Sequence, residues 1–338
     1  MFGSVSIPAV RGVGSGGGSI VVTAAGRKRR LPRTPFSYLD GRIAIGSRWL
    51  RIAAAAALLA SVAIVVGGGV VRVTGSGLGC PGWPTCANGS LAATPEMGIH
   101  ALVEFVNRLL TSVVCVVVGV LIVVARFQGE HRAQVTRWAW VQFWVVVLNA
   151  VLGGLTVLAR LNPYLVAAHF LAATLLLAAA TVTWDLANRG RAEQARPNAR
   201  STSTQRRSAL VLLIATVALM IMGTAVTGAG PHAGDSSDVQ RMAFDWATVA
   251  GIHALLAVAV VVAAAIVWRS STPGTKLRNR TTWVLVVLAA QVGVGVVQSA
   301  ASLPNVLVVT HMLVAALAFI GAIRVLLATL PAQGRNVG

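Results

Sequence analysis

The chain alternates between long apolar stretches and short polar connections that are rich in arginine. Eight apolar runs are each about 20 residues long, the length that an α-helix needs to cross the hydrocarbon core of a bilayer. The pattern therefore predicts an all-α integral membrane protein with eight transmembrane helices. The predicted helices lie near residues 50–71, 97–125, 138–158, 164–184, 209–229, 246–268, 282–300 and 306–328.

Composition and charge agree with this fold class. Of the 338 residues, 56% are hydrophobic and only 11% are charged, which is too little charge for a soluble domain of this size. The formal net charge is +19, but the basic residues flank the apolar runs and form no groove. We therefore expect membrane lipid, and no nucleic acid, as the surrounding partner.

The distribution of lysine and arginine predicts the orientation of the chain. Basic residues are concentrated in the N-terminal tail and in the loops after the second, fourth and sixth helices. Because cytoplasmic loops carry such an excess, both termini are predicted to be cytoplasmic, in a multi-pass protein of the cell membrane. Residues 1–47 are predicted to form a disordered cytoplasmic tail, and residues 331–338 a second cytoplasmic tail.

The two halves of the chain resemble each other. Residues 73–77 (Val-Thr-Gly-Ser-Gly) match residues 226–230 (Val-Thr-Gly-Ala-Gly) at an offset of 153 residues, and Gly153 matches Gly295 at an offset of 142. Because four helices separate the copies, both have the same topology, as in a parallel internal repeat. We predict two tandem four-helix bundles. The predicted segments are 48–188 for the first bundle, 189–208 for a cytoplasmic linker and 209–330 for the second bundle.

Four histidines lie within the predicted helices at matching places of the two halves: His100, His169, His253 and His311. Ionisable residues inside a membrane are costly and usually functional. In each half the two histidines lie on the second and fourth helices, about 6–10 Å from the outer end. Two imidazoles at one depth can hold a haem iron from both faces, so the haem sites are expected near the outer face. The alternative is that each histidine only hydrogen-bonds to a neighbouring helix.

The second helix carries a polar stripe that the sixth helix lacks. His100, Glu104, Asn107 and Arg108 are spaced to lie on one helical face, and we expect this face to point into the bundle, since lipid would make each residue costly. Either Glu104 takes part in chemistry, or Glu104 and Arg108 pair only to neutralise each other. The asymmetry predicts that one half holds a cofactor and the other performs chemistry.

The loop between the first two helices contains Cys80 and Cys86. The loop lies on the predicted outer side, where a disulfide persists, and its two intervening prolines suit a tight turn that brings the sulfurs together. The pair is either a structural staple or a reducible pair near the mouth of the site. Cys115, within the second helix, is predicted to be buried and to serve packing.

Together these motifs resemble those of the haem A synthase family. The most specific stretch, residues 73–81, reads Val-Thr-Gly-Ser-Gly-Leu-Gly-Cys-Pro and is followed by Trp83-Pro84 and Cys86. A second stretch, residues 103–111, contains Glu104, and the resemblance covers residues 48–330. It implies an enzyme that oxidises the C8 methyl of haem O to a formyl group by successive hydroxylations, giving haem A for terminal oxidases. It also implies haem B as the cofactor, with iron held only through the haem ligands.

The resemblance also implies roles for single residues. His253 and His311 would hold the haem B iron, and Glu104 would be the important acid of the second helix. His100 and His169 would hold the iron of the substrate haem.

The chain departs from the family pattern at one site residue. Many relatives carry a histidine three residues after the acid, and this chain has Asn107 there. Asparagine does not replace imidazole as a haem ligand, so ligation falls to His100, or the substrate iron has one protein ligand only.

The expected partners are the haem O substrate, a haem O synthase that supplies it and an unidentified electron donor. The sequence is also compatible with a homo-oligomer. A rival interpretation is a dihaem b-type electron-transfer protein that oxidises quinol. It would use the same four histidines and would need no buried acid beside one haem.

Overall fold

The fold is known from a computed structural model, which describes residues 46–87, 89–128, 133–189, 201–232, 234–235 and 239–330. The predicted tails and linker, apart from residues 46–47, 189 and 201–208, lie outside the described residues. Within those ranges the chain forms eight helices long and apolar enough to cross a membrane, and no β-strand, so the predicted fold class is confirmed. They are α1 (Ser47–Val73), α2 (Gly98–Arg126), α3 (Ala133–Leu158), α4 (Pro163–Asn188), α5 (Ser203–Ala229), α6 (Trp246–Ser270), α7 (Lys276–Ala300) and α8 (Asn305–Thr329).

Several helices extend beyond the apolar runs into polar sequence. Helix α5 begins at Ser203 because Thr202 and Gln205 form a reciprocal capping box, and Thr275 accepts a hydrogen bond from the Arg278 amide at the start of α7. Such caps satisfy backbone amides that lack a partner within the helix. Hydropathy therefore identifies the membrane core of each helix, and capping residues set where the helix begins.

The same helix pairs pack in each half. In the first half α1 packs on α2 and α4, and α3 packs on α2 and α4; in the second half α5 packs on α6 and α8, and α7 packs on α6 and α8. The halves meet where α8 packs on α1 and α4, and where α4 packs on α5. A core that includes Leu58, Leu177, Phe319 and Ile323 fills this junction.

The connection between the third and fourth helices of each half adopts the same backbone conformation. Arg160 and Leu161 have φ of 50° and 57°, and Ser302 and Leu303 have φ of 62° and 60°. Such left-handed values are uncommon for residues other than glycine. In both turns the backbone amide of the leucine, Leu161 or Leu303, donates a hydrogen bond to the carbonyl oxygen five residues earlier, at 2.8 Å. The two turns are related by the offset of 142 residues found in the sequence, which agrees with the predicted repeat.

Helix α2 presents Cys115 on its exposed side, so the prediction that this residue is buried is wrong. The inner half of α2 instead buries a stripe formed by Val114, Val118 and Leu121. Cys115 follows Val114 directly, and successive residues of an α-helix point about 100° apart. Both sides of this helix are apolar, so composition alone does not identify the buried one.

Candidate functional site

The loop between α1 and α2 covers the end of the first bundle. It contains a disulfide between Cys80 and Cys86, and both residues are fully buried, which confirms the predicted pairing. A Cβ atom on Gly79 would collide with the carbonyl of His100, and one on Gly154 would lie 2.5 Å from the ring of Trp83. The two glycines therefore allow the loop to rest directly on α2 and α3.

Glu104 and Arg108 attach this loop to α2. The Glu104 carboxylate, in a residue that is only 5% exposed, accepts hydrogen bonds from the Cys80 amide at 2.6 Å and from Arg108 Nη2 at 2.5 Å. Arg108 also donates to the carbonyls of Cys80, Gly82 and Thr85 at 3.1, 3.0 and 3.3 Å. The predicted ion pair is therefore formed, and it holds the disulfide loop as well as neutralising two charges.

A cavity of about 290 Å³ lies beneath the loop, between the four helices of the first half. Asn107, Asn149 and His169 each leave a side-chain atom, Oδ1 or Nδ1, buried with no hydrogen-bond partner in the described part of the chain. Buried polar atoms without partners are costly, so the protein alone does not satisfy the polar side chains of this lining. Its ionisable or amide side chains are Arg72, Glu104, Asn107, Arg108, Asn149 and His169.

His100 lies apart from this cavity, although Glu104, Asn107 and Arg108 contribute to its lining. Its residue is exposed, and its Nδ1 lies 3.0 Å from Ser76 Oγ. His100 is in the first turn of α2, about 10 Å nearer the start of the helix than Asn107. The prediction that the whole polar stripe points into the bundle is therefore wrong for His100, which is exposed and contacts the loop residue Ser76.

The second half brings His253 of α6 and His311 of α8 together. Their ring centroids are 6.4 Å apart and their planes are inclined by 51°, and both Nδ1 atoms are buried without a hydrogen-bond partner among the described residues. A metal–imidazole bond is about 2.0 Å long, as at zinc, and the ring centre lies roughly 1 Å beyond the nitrogen. Two such bonds in line separate the ring centres by about 6 Å, so these rings fit one metal atom held between them.

A glycine on a neighbouring helix faces each of three partly buried imidazoles, those of His169, His253 and His311, and a fourth faces Asn107. The distance from a Cβ built on the glycine to the facing side chain is 3.1 Å for Gly153 and His169, 3.4 Å for Gly295 and His311, 3.3 Å for Gly223 and His253, and 2.7 Å for Gly67 and Asn107. Asn107 and His253 are thus both packed against a glycine of the preceding membrane helix, although the sequence repeat pairs His253 with His100. His100 has no such glycine.

The described ranges contain no cluster of three or more His, Cys, Asp or Glu side chains that could hold a metal ion. A macrocycle that brings its own equatorial ligands needs only axial ones. The His253–His311 pair can supply two, and His169 can supply one beside the first cavity. The residues present therefore fit haem.

Sequence reasoning missed two polar residues of the cavity. Asn149 leaves its Oδ1 buried without a partner, and Arg72 donates to the carbonyl of Thr227 in the other half at 2.8 Å. The available signal was the same for both: a strongly polar side chain within a helix long enough to cross a membrane.

The fold and site define a polytopic helical membrane protein with partly buried imidazoles in both halves. The model of the COX15-CtaA family, described as cytochrome oxidase assembly protein, matches residues 48–323. The chain belongs to this family.

Three curated relatives are similar to part of the chain, and each is named heme A synthase. The protein of Lysinibacillus sphaericus is 35% identical over 128 residues, which cover 37% of this chain and 40% of the relative. That of Listeria monocytogenes is 29% identical over 124 residues, 36% of this chain and 40% of the relative. That of Geobacillus thermodenitrificans is 31% identical over 113 residues, which cover 33% of this chain and 34% of the relative. The matched part thus spans less than half the length of each relative.

Proposed function

We propose that this protein is a haem A synthase, which oxidises the C8 methyl of haem O to a formyl group by successive hydroxylations. The observation that carries the proposal is the difference between the two halves. The second half has two imidazoles facing each other at a ring separation of 6.4 Å. The first has a cavity lined by one imidazole, His169, together with Glu104. The family and the names of the relatives support this assignment.

In the second half, His253 and His311 would hold haem B. Haem B would supply the one-electron and oxygen chemistry. The protein contributes two imidazoles on separate helices, each set against a glycine that leaves room for the ring. Because α5 and α7 each pack on both α6 and α8, these neighbours would hold the two imidazoles in position, which would lower the entropic cost of binding the cofactor.

In the first half, haem O would lie in the cavity with His169 bound to its iron. Glu104 would accept or return a proton near the reacting methyl, and Arg108 and Asn107 would support it. The sequence repeat proposes His100 as the second iron ligand. The cavity lining favours the alternative, in which Asn107 leaves His169 as the one imidazole ligand, because His100 contacts Ser76 instead.

The proposal includes the surroundings of the site. Both haem sites would lie near the outer face of the cell membrane, with both termini in the cytoplasm. Haem O, prenylated and apolar, would enter from the lipid, delivered by a haem O synthase. A separate donor would supply electrons, and the Cys80–Cys86 disulfide is either a staple of the loop or part of that supply.

Expression in a bacterium that makes haem O but no haem A tests the proposal. We expect haem A in the extracted pigments when the full chain is present, and none with the His169→Ala variant at equal protein level. A dihaem electron-transfer protein would leave the pigments as haem B and unconverted haem O. That result with abundant wild-type protein would contradict the proposal.

A further inference from the structure

A second cavity, of about 260 Å³, lies at the opposite end of the helices from the disulfide loop. It is formed by α4, α7 and α8, where the two halves of the protein meet. None of its residues belongs to the two candidate haem sites. Its lining consists of Trp184, Asp185, Asn188, Lys276, Arg280 and Arg324.

The lining contains three cations and one carboxylate, and that carboxylate is already engaged. Asp185, which is 3% exposed, accepts a hydrogen bond from Arg280 on Oδ1 and from Arg189 on Oδ2, the latter at 3.0 Å. Arg280 also donates to the backbone carbonyl of Arg324 at 2.6 Å. The charge of Arg324 is thus left without a carboxylate of its own in this lining.

The Arg324 side chain is held in place without its full set of hydrogen bonds. Its guanidinium carbon lies 4.6 Å from the centre of the Trp184 ring, as in a cation–π contact. Its Nε is buried and has no hydrogen-bond partner in the described part of the chain. Arg280 and Arg324 are half-buried, and positive charge that is partly removed from water is stabilised by an anion beside it. Arginine forks match phosphate geometry especially well.

The depth of the cavity matches that of lipid headgroups. Helix α8 has 25 residues and is therefore about 37 Å long, compared with about 30 Å for the hydrocarbon core. Arg324 precedes the last residue of α8 by five positions and Arg280 follows the first residue of α7 by four, so both lie within about 8 Å of a helix end. Tryptophan, here Trp184, is enriched at this interfacial level.

We propose that this cavity binds the phosphate of an anionic phospholipid, in the leaflet that the basic loops predict to be cytoplasmic. Arg324 contacts the phosphate, and Asp185 holds Arg280 beside it. The lipid thereby joins α4 of the first half to α7 and α8 of the second. This site is independent of the proposed haem chemistry, and its test needs no haem.

The test measures lipid binding to the full-length protein, purified and delipidated in detergent. Phosphatidylglycerol, phosphatidylcholine and inorganic phosphate are titrated separately, and bound lipid is counted by native mass spectrometry. We expect the wild type to retain phosphatidylglycerol selectively. Arg324→Gln removes a charged hydrogen-bond donor and should weaken this binding at least about tenfold. Arg269→Gln is the matched control, because Arg269 is exposed at the end of α6 and lies outside the cavity lining. It should leave binding nearly unchanged.

Arg324→Lys keeps the positive charge but loses the planar guanidinium group that can bind phosphate through two hydrogen bonds. This variant provides the test if Arg324→Gln does not fold. We expect several-fold weaker binding of phosphatidylglycerol by the lysine variant. Unchanged binding in both Arg324 variants, or equal binding of phosphatidylcholine by the wild type, would overturn the proposal. Displacement of the lipid by inorganic phosphate at similar concentration would overturn the assignment to lipid in favour of a soluble anion.

Discussion

The carboxylate of Glu104 accepts a hydrogen bond from the backbone amide of Cys80 at 2.6 Å, so the buried acid of α2 holds the backbone of one of the two disulfide-bonded cysteines. Arg108 holds the other side of the same carboxylate and three carbonyls of the loop. Glu104, which lines the first cavity, therefore also anchors the disulfide loop that lies above this cavity. We therefore expect a change at Glu104 to affect both the proton transfer proposed for this residue and the anchoring of the loop.

Glu104→Gln separates the charge of this residue from its shape. Glutamine keeps an acceptor for the Cys80 amide but leaves Arg108 without its counterion, so we expect a loss of about 2 kcal/mol of stability. The midpoint of thermal unfolding in detergent measures this loss, and extracted haem A measures the loss of output. Glu96→Gln is the control, because Glu96 is exposed in the turn before α2. An unchanged midpoint and full haem A output in Glu104→Gln would contradict both roles.

The two histidines of the first half are expected to differ. His169 lines the cavity, whereas the exposed His100 contacts Ser76. We expect His169→Ala to abolish co-purification of substrate haem, and His100→Ala to retain it. Haem O added to membranes and recovered with the purified protein measures both. Equal loss in the two variants would mean that the substrate iron has two imidazole ligands, as the sequence repeat predicts.

Gly154 is expected to be intolerant of a side chain. A Cβ on Gly154 would lie 2.5 Å from the Trp83 ring, whereas one on Gly119 would meet nothing within 4 Å. We expect Gly154→Ala to lower the unfolding midpoint by displacing the disulfide loop. Gly119→Ala should raise stability by up to about 1 kcal/mol through its higher helix propensity. A neutral or stabilising Gly154→Ala would show that the loop is not tightly seated on α3.

Removing the disulfide tests whether it is more than a staple. The Cys80→Ser, Cys86→Ser double variant should lose about 2 kcal/mol of stability, the chain-entropy value for so short a loop. Because Arg108 still holds the loop carbonyls, we expect the folded chain to persist. Haem A output and the unfolding midpoint, measured on the same variant, then decide between the two roles. Full haem A output would mean that the disulfide is only structural. Loss of haem A output in a protein that is still folded would indicate a redox function.

Hydropathy and motif were sufficient for the eight helices, the disulfide and the position of Glu104. These sequence signals failed where packing against a neighbouring part of the protein decides which side of a helix is buried. The apolar sides of α2 look alike in sequence, so Cys115 was expected on the wrong one. His100 satisfies the periodicity of the polar stripe, yet it is exposed in the first turn of α2 and contacts the loop residue Ser76. Asn149 and Arg72 were missed because their role arises only when distant helices enclose one cavity.

We propose above that His253 and His311 hold one haem B between them. The most direct measurement is the optical spectrum and extracted pigment of the full-length protein, purified from cells grown with ample iron and haem precursors. We predict a Soret band and extractable haem B in the wild type and in His232→Ala, whose loop histidine bonds to Asn305. The haem B should be lost in His253→Ala and His311→Ala. A colourless wild type, or unchanged haem B in both of those variants, would contradict the claim.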